Sequence, residues 1–343
     1  QETGFRENFF VPGNKISSSA LLSPDTEQLA IDFVELYITH ATTLENTNER
    51  SVAVTYQELA AQTIEQLQLW INAALKNPAI TADPQKLAKA EKRGREAKNQ
   101  LYQTRVNQAW TQVSIKGALA DAQKNADTAL AIEKEYATAY FVKGIIHNNL
   151  AEKDPREYKT ASAFFLKAID ITETKSKKKV APANYYFYSG MALEKTDNFA
   201  EAEKHLKRTI TIDPYNPTYL NYLGYMYSLR NMNLPEANML VLRALEDDPE
   251  NEAYLDTFGW IQFKLGNYRE ALEQQVPALP GAAPLGAWLA RVLVFPWMRY
   301  DANLYAAIVD HGYTVAENTA NFHPLYPLLA ALLAPLLGGN GPL

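Results

Sequence analysis

The feature that most limits what this chain can fold into is a beat of 34 to 35 residues. Gly190, Gly224 and Gly259 lie 34 and 35 residues apart, and Ala202, Ala237 and Ala271 follow at 35 and 34. Pro214 and Pro249 stand 35 apart. Seven residues after each alanine comes a further slot, filled by Thr209, Ala244 and Ala278. A fixed period of this length marks repeated supersecondary units, each too small to bury its own apolar face and each therefore stacked on its neighbours.

Within one period the sequence predicts two helices of about a dozen residues joined by a tight turn. A glycine inside a helix costs about 1 kcal/mol relative to alanine, so its recurrence in helix A implies a packing gain. The small residue of helix A (Gly190, Gly224, Gly259) is expected to let the small residue of helix B (Ala202, Ala237, Ala271) come close. Pro214 and Pro249 cannot continue a helix and are expected to end helix B. Tyr222, Leu223, Leu240 and Leu242 are expected to fill the layer between repeats.

The pattern resembles the tetratricopeptide repeat in "YLGYMY…PEANMLVLRALEDDP" and "TFGWIQFKLGNYREAL". That resemblance implies an all-α fold, an α-solenoid of stacked antiparallel helix pairs forming a superhelix. Backwards from Gly190 the register stretches. Gly144 heads "AYFVKGIIHNNL", with Ala161 and Ala168 as its helix B slots, five extra residues in the turn and seven more in "TETKSKKKVAP". Ala122 and Ala129, seven apart, mark one more helix B, whose helix A ("QTRVNQAWTQVS") has no glycine. The solenoid is placed at 115–280. The lysines at 175, 177, 178 and 179 fall in the second insertion and read as a solvated loop, with an acidic partner or anionic lipid as the alternative.

Residues 1–24 show no helical period and read as an extended arm whose Phe5, Phe9 and Phe10 pack on the body or on a neighbouring subunit. Helices are predicted at 25–43, 52–77 and 84–112, with Asp25 as an N-cap and Gln28 in the capping-box position. Segment 25–114 is thus expected to be a helical cap that hides the first apolar face of the stack.

After "REALEQ" the period fails, and "VPALPGAAPLG" holds three prolines and two glycines. Segment 281–343 resembles the first extracytoplasmic loop of polytopic lipid-dependent mannosyltransferases, the family that mannosylates GPI anchors, in Arg299-Tyr300-Asp301, Tyr305, the "HGY" at 311–313 and "FHPLYPLL" at 322–329. The resemblance makes Asp301 the one candidate catalytic carboxylate. The longest apolar run, Leu325 to Gly339, is 15 residues with Pro327 and Pro335 inside it, whereas spanning a bilayer takes about 20. The run from Ala282 to Met298 is broken by Arg291 and two prolines. Neither is a membrane helix, so the resemblance implies a fragment, a fusion or a displaced loop; the alternative is an irregular or helical cap on the last repeat.

Composition narrows the function classes. A net charge of −6 with no face-wide basic excess argues against a nucleic-acid partner. The absence of cysteine excludes disulfides and thiolate metal sites and leaves the redox compartment open. With five histidines, no H-E-x-x-H, no phosphate-binding P-loop and no G-x-G-x-x-G, no metal or other cofactor is expected. The chain begins at Gln1 and reads as a processed protein or a fragment, through a removed export signal or a cloning scar at "QETG". That start, the lack of cysteine and the tail resemblance point to an extracytoplasmic or membrane-apposed location.

If helix A lines a concave side, the groove residues are those three before and one, four or five after each glycine: Phe141, Ile145 and Asn148; Phe187, Met191 and Lys195; Asn221 and Tyr225; Asp256, Trp260 and Lys264. Aromatics interleaved with amides and single charges suit peptide capture. The Lys/Asn pattern by which some tetratricopeptide domains clamp a terminal carboxylate is not reproduced. The sequence therefore favours a non-catalytic interaction or assembly scaffold that binds a peptide or protein, or copies of itself as a filament. The alternative is the soluble part of a membrane lipid-dependent mannosyltransferase system.

Overall fold

The computed structural model of the protein describes residues 24–175 and 180–266. Among these residues there are twelve helices and no strand. They are α1 (Pro24–Asn46), α2 (Arg50–Ala74), α3 (Pro78–Thr81), α4 (Pro84–Val113), α5 (Leu119–Ile132), α6 (Ala137–Leu150), α7 (Glu157–Lys175), α8 (Ala183–Glu194), α9 (Phe199–Ile212), α10 (Pro217–Leu229), α11 (Leu234–Asp247) and α12 (Glu252–Leu265). The chain divides into two compact units, one up to Arg208 and one from Thr209. Within each, successive helices pack as antiparallel pairs, the all-α solenoid class expected from the period.

Local chemistry sets the helix starts. Asp83 precedes Pro84, and its Oδ1 accepts from the backbone N–H of Gln85 at 3.0 Å and of Lys86 at 3.3 Å. Those contacts satisfy two donors that a helix start leaves open. Asn251 does the same for α12, accepting from Ala253 at 3.1 Å and Tyr254 at 3.3 Å. The helix B to helix A linkers share a clasp. Asn216 Nδ2 donates to Asp213 across Pro214 at 3.2 Å, and Asn251 Nδ2 donates to Asp248 across Pro249 at 3.0 Å. The expected cap at Asp25 is corrected: α1 already begins at Pro24, which puts Asp25 inside the first turn, and Gln28 instead donates to Asp32 one turn on at 2.8 Å.

One helix of the first unit threads two apolar clusters among the described residues. Ala30, Phe33, Val34 and Tyr37 of α1 pack with Ala60, Ile64, Leu67 and Ile71 of α2 and with Ala97 and Leu101 of α4. Val106 and Ala109, further along α4, pack with Ala122, Ala126 and Ala129 of α5 and with Ala139, Val142 and Ile146 of α6. At 30 residues α4 is long enough, about 45 Å, to serve both clusters. Its second half therefore acts as the glycine-free helix A paired with α5.

Between the clusters lies a polar layer. Arg105, 8% exposed, donates to Glu58 at 2.5 Å, to Glu65 at 2.8 Å and to Gln108 at 3.1 Å. Gln57 donates to Glu45 at 2.7 Å and to Thr111 at 3.0 Å, Thr111 also donates to Glu45, and Asn125 donates to Gln112 at 2.9 Å. These bonds meet much of the polar demand of the layer, while Gln57 Oε1 and Arg105 Nε are buried with no partner among the described residues.

Candidate ligand-binding face

The structure separates the predicted groove residues into buried and accessible sets. Phe141, Ile145 and Phe187, expected to face a ligand, are only 3%, 6% and 7% exposed. This corrects the expectation for all three. Tyr185 of α8 lies flat over Phe141, with centroids 4.3 Å apart and planes at 11°, and Phe165 and Tyr188 each approach the same ring at 5.6 Å. Tyr185 stands five residues before Gly190, a place that Tyr219 and Tyr254 hold before Gly224 and Gly259. Burial pushes the Tyr185 phenol up, partly offset by its hydrogen bond with Thr138. Leu242, expected between repeats, is 42% exposed, whereas Leu223 and Leu240 are buried as expected.

Asn148 and Met191 are half-buried, and Lys195 is exposed with its Nζ 3.1 Å from Glu194. The first unit adds a residue that the glycine register missed. Trp110 follows Ala109, which stands in the glycine slot of the first helix A, and is therefore the register equivalent of Ile145 and Met191. It is 46% exposed, and its indole stacks on Phe141 at 6.0 Å and 25°. Trp110, Phe141 and Tyr185 thus form a stack from three successive helix A segments, open at its tryptophan end. The signal available in the sequence was the pair Ala122 and Ala129, which fixes the register of the preceding helix without any glycine.

In the second unit Asn221, Tyr225, Asp256, Trp260 and Lys264 are all half-buried. The Lys264 ammonium sits 4.8 Å over the Trp260 ring, whose other neighbour, Phe263, stacks at 5.5 Å and 16°. The Trp260 indole N–H and the Asn221 side-chain oxygen are enclosed with no hydrogen-bond partner among the described residues. Unmet donors and acceptors of this kind cost about 1–3 kcal/mol each. A cation over an indole contributes about 0.5–1 kcal/mol where solvent reaches it.

Asp301, the helix B slots Ala271 and Ala278, the phenylalanines of the arm and Lys177–Lys179 lie outside the described residues. Lys175 closes α7 and pairs with Glu135. Among the described residues no cluster of three or more His, Asp or Glu could hold a metal ion, and no helix is long and apolar enough to cross a membrane.

No family model matches the chain. The TPR repeat-containing protein PA4667 of Pseudomonas aeruginosa is 29% identical over 162 residues, which cover 47% of this chain and 26% of that protein. The match thus spans about a quarter of that curated relative. Among solved structures, PilW, a widely conserved type IV pilus biogenesis factor, is similar with a TM-score of 0.52 at 18% identity, over 79% of this chain and 97% of that one. YrrB, a TPR protein with an unusual peptide-binding site, gives 0.41 at 22% identity, over 50% and 81%. The period, the paired helices and the likeness to PilW agree, and the chain is in fold a protein of tetratricopeptide-type repeats.

Proposed function

We propose that the chain is a non-catalytic scaffold that captures a peptide segment of a partner protein on its helix A faces. The observation that carries this reading is the Trp110 platform. An indole nearly half exposed yet held flat on a buried Phe141–Tyr185 pair offers a large contact area with little side-chain freedom left to lose. Apolar or proline side chains of a ligand would lie on Trp110. In the second unit, taken by itself, the enclosed Trp260 N–H and Asn221 oxygen would suit a peptide backbone that supplies one acceptor and one donor after small side-chain shifts.

An array of random dodecapeptides probed with the full chain tests this. The wild-type chain should retain a defined subset, and Trp110→Ala should weaken those spots by at least about tenfold, the effect of losing one well-packed anchor. It should also cost about 1 kcal/mol or less of stability, because the side chain is a surface one. Phe141→Ala should cost about 3–5 kcal/mol, as expected for a buried aromatic. Unchanged spots for Trp110→Ala, or no retained peptide at all, overturns the reading.

A further inference from the structure

The outer faces of the helix B segments differ in a way that sets α11 apart. Ala237, Leu240, Val241 and Ala244 of α11 are buried. Helical spacing therefore puts Pro235, Met239, Leu242 and Glu246, at steps of four, three and four, on the opposite side. All four are exposed, Met239 at 60%. Met239 and Leu242 stand two and five residues after the alanine slot. The same places are held by Lys124 and Asp127 on α5, by Ala163 and Leu166 on α7, and by Lys204 and Lys207 on α9. Charge on that side is what a solvated helix face carries, and of these four helices only α11 puts two large apolar side chains there. Its surroundings are acidic. Residues 209–266 hold eight Asp and Glu against three Lys and Arg, a net −5. Glu246, Asp247, Asp248, Glu250 and Glu252, from the end of α11 to the start of α12, are all exposed, and the first four make no ion pair among the described residues. The nearby cation, Arg243, is turned to the Pro214 carbonyl, to which it donates at 2.6 Å.

We propose that the outer face of α11 docks a basic amphipathic helix of a partner protein, its apolar stripe over Met239 and Leu242 and its lysines or arginines beside Glu246, Asp247 and Glu250. Such a helix presents apolar residues at i, i+3, i+4 and i+7 to the surface it covers, and the unbranched thioether of Met239 adapts to their shapes. The charges select the occupant. Unpaired carboxylates and the carbonyl end of the helix dipole meet at the C-terminus of α11, and both favour a cation. A second copy of this face would bring the same surplus of negative charge. Residues 281–343, the apolar end of the chain, hold three carboxylates against two cations, so neither supplies the positive charge that is missing. One helix face makes a small interface, at the transient end of protein contacts, and its exposed charges are screened by salt. The affinity should therefore be modest and should fall as salt is added. This surface does not depend on the Trp110 platform, which is built from helix A segments of the first unit.

The test uses the full chain and a fluorescein-labelled pentadecapeptide of leucine and lysine, patterned so that the leucines share one helix face, with binding followed by fluorescence anisotropy. The peptide should bind at low salt and lose at least about tenfold in affinity at about 0.5 M salt. A peptide with glutamate in place of lysine should bind at least about tenfold more weakly. The lysine peptide should lose about as much on Met239→Gln/Leu242→Gln, which removes the apolar stripe, and on Glu246→Gln/Asp247→Asn, which leaves the stripe and removes charge. All four positions are exposed, so both variants should keep their fold, which circular dichroism checks. Trp110→Ala should leave this binding unchanged, and Met239→Gln/Leu242→Gln should leave the Trp110-dependent dodecapeptide spots unchanged, so that failure at one surface is not mistaken for failure at the other. No anisotropy change, equal binding of the lysine and glutamate peptides, or a Met239→Gln/Leu242→Gln chain that binds as well as wild type overturns the proposal. A dimer in sedimentation equilibrium that the same pair of substitutions abolishes would also overturn it, in favour of a second copy on this face.

Discussion

Gly144 on α6 lies directly against the ring of Phe165 on α7: a Cβ at that glycine would stand 2.4, 2.5 and 2.8 Å from three ring carbons. The glycine of the repeat is therefore kept here by an aromatic ring, not by the small residue Ala161. In the next repeats the same role falls to Leu206, 2.8 Å from a Cβ built on Gly190, and to Val241, 2.6 Å from one built on Gly224. The alanine carbonyls come next, Ala202 at 3.3 Å and Ala237 at 3.1 Å. Helix A thus meets helix B at a large side chain four residues beyond the expected alanine.

Gly144→Ala should consequently destabilise the protein, although alanine is the better helix former by about 1 kcal/mol. Phe165 is fully buried and cannot swing aside. Overpacking of this kind costs about 1–3 kcal/mol, so a net loss should appear as a lower urea midpoint. Gly94→Ala is the control. Its added methyl meets only one carbon, at 3.3 Å, and the midpoint should move far less.

The polar layer sets a response to acid. Burial acts to raise the carboxyl pKa of Glu58, but the hydrogen bonds from Gln108, Arg105 and Gln62 together with the Arg105 charge outweigh it and hold the group below its ordinary range. A carboxylate with a lowered folded-state pKa stabilises the fold fully above its unfolded value. That stabilisation is lost as the pH falls from about 4.3, the ordinary glutamate value, through the folded one. Glu58→Gln should therefore flatten the fall in urea midpoint over that acidic window. Arg105→Met, which leaves Glu58 and Glu65 facing each other, should lower the midpoint at pH 7 by an amount corresponding to about 2–3 kcal/mol.

His205 responds at a higher pH. Its ring is buried on α9 beside that of Tyr186, 5.6 Å between centroids. Burial holds its pKa below the usual value; Glu201 and Glu173 oppose the shift and Lys204 adds to it. A base with a lowered folded-state pKa is protonated first in the unfolded chain. Stability therefore falls as the pH drops below about 6.5, and the fall levels off once the folded form is protonated as well. His205→Phe should remove this part of the slope, measured as the urea midpoint between pH 7.5 and 5.

How much of the protein can be read in advance follows from where each constraint acts. The 34 to 35 beat, the proline linkers and the insertions around Gly144 are constraints on one chain segment at a time, and they yield the paired helices and the fold class directly. Asp83 and Asn251 cap the helices they precede for the same local reason. The candidate face was only partly legible. Whether Phe141 meets a ligand or a core depends on Tyr185, 44 residues later, closing over it, and no periodicity states that. Trp110 was missed because Ala109 fills the glycine slot, so the register marker is absent where the exposed indole stands.

The amino-acid sequence by itself determined that this protein is a succession of short helix pairs, because helical spacing, turn residues and small-residue slots are local and recur. Tertiary structure decided which aromatic rings are buried and which is left open. It also decided that one long helix, α4, would thread two apolar clusters across a charged layer. The physical reason is that burial is settled between segments distant in sequence: a ring is lost to solvent, or kept for a ligand, by what another helix lays against it.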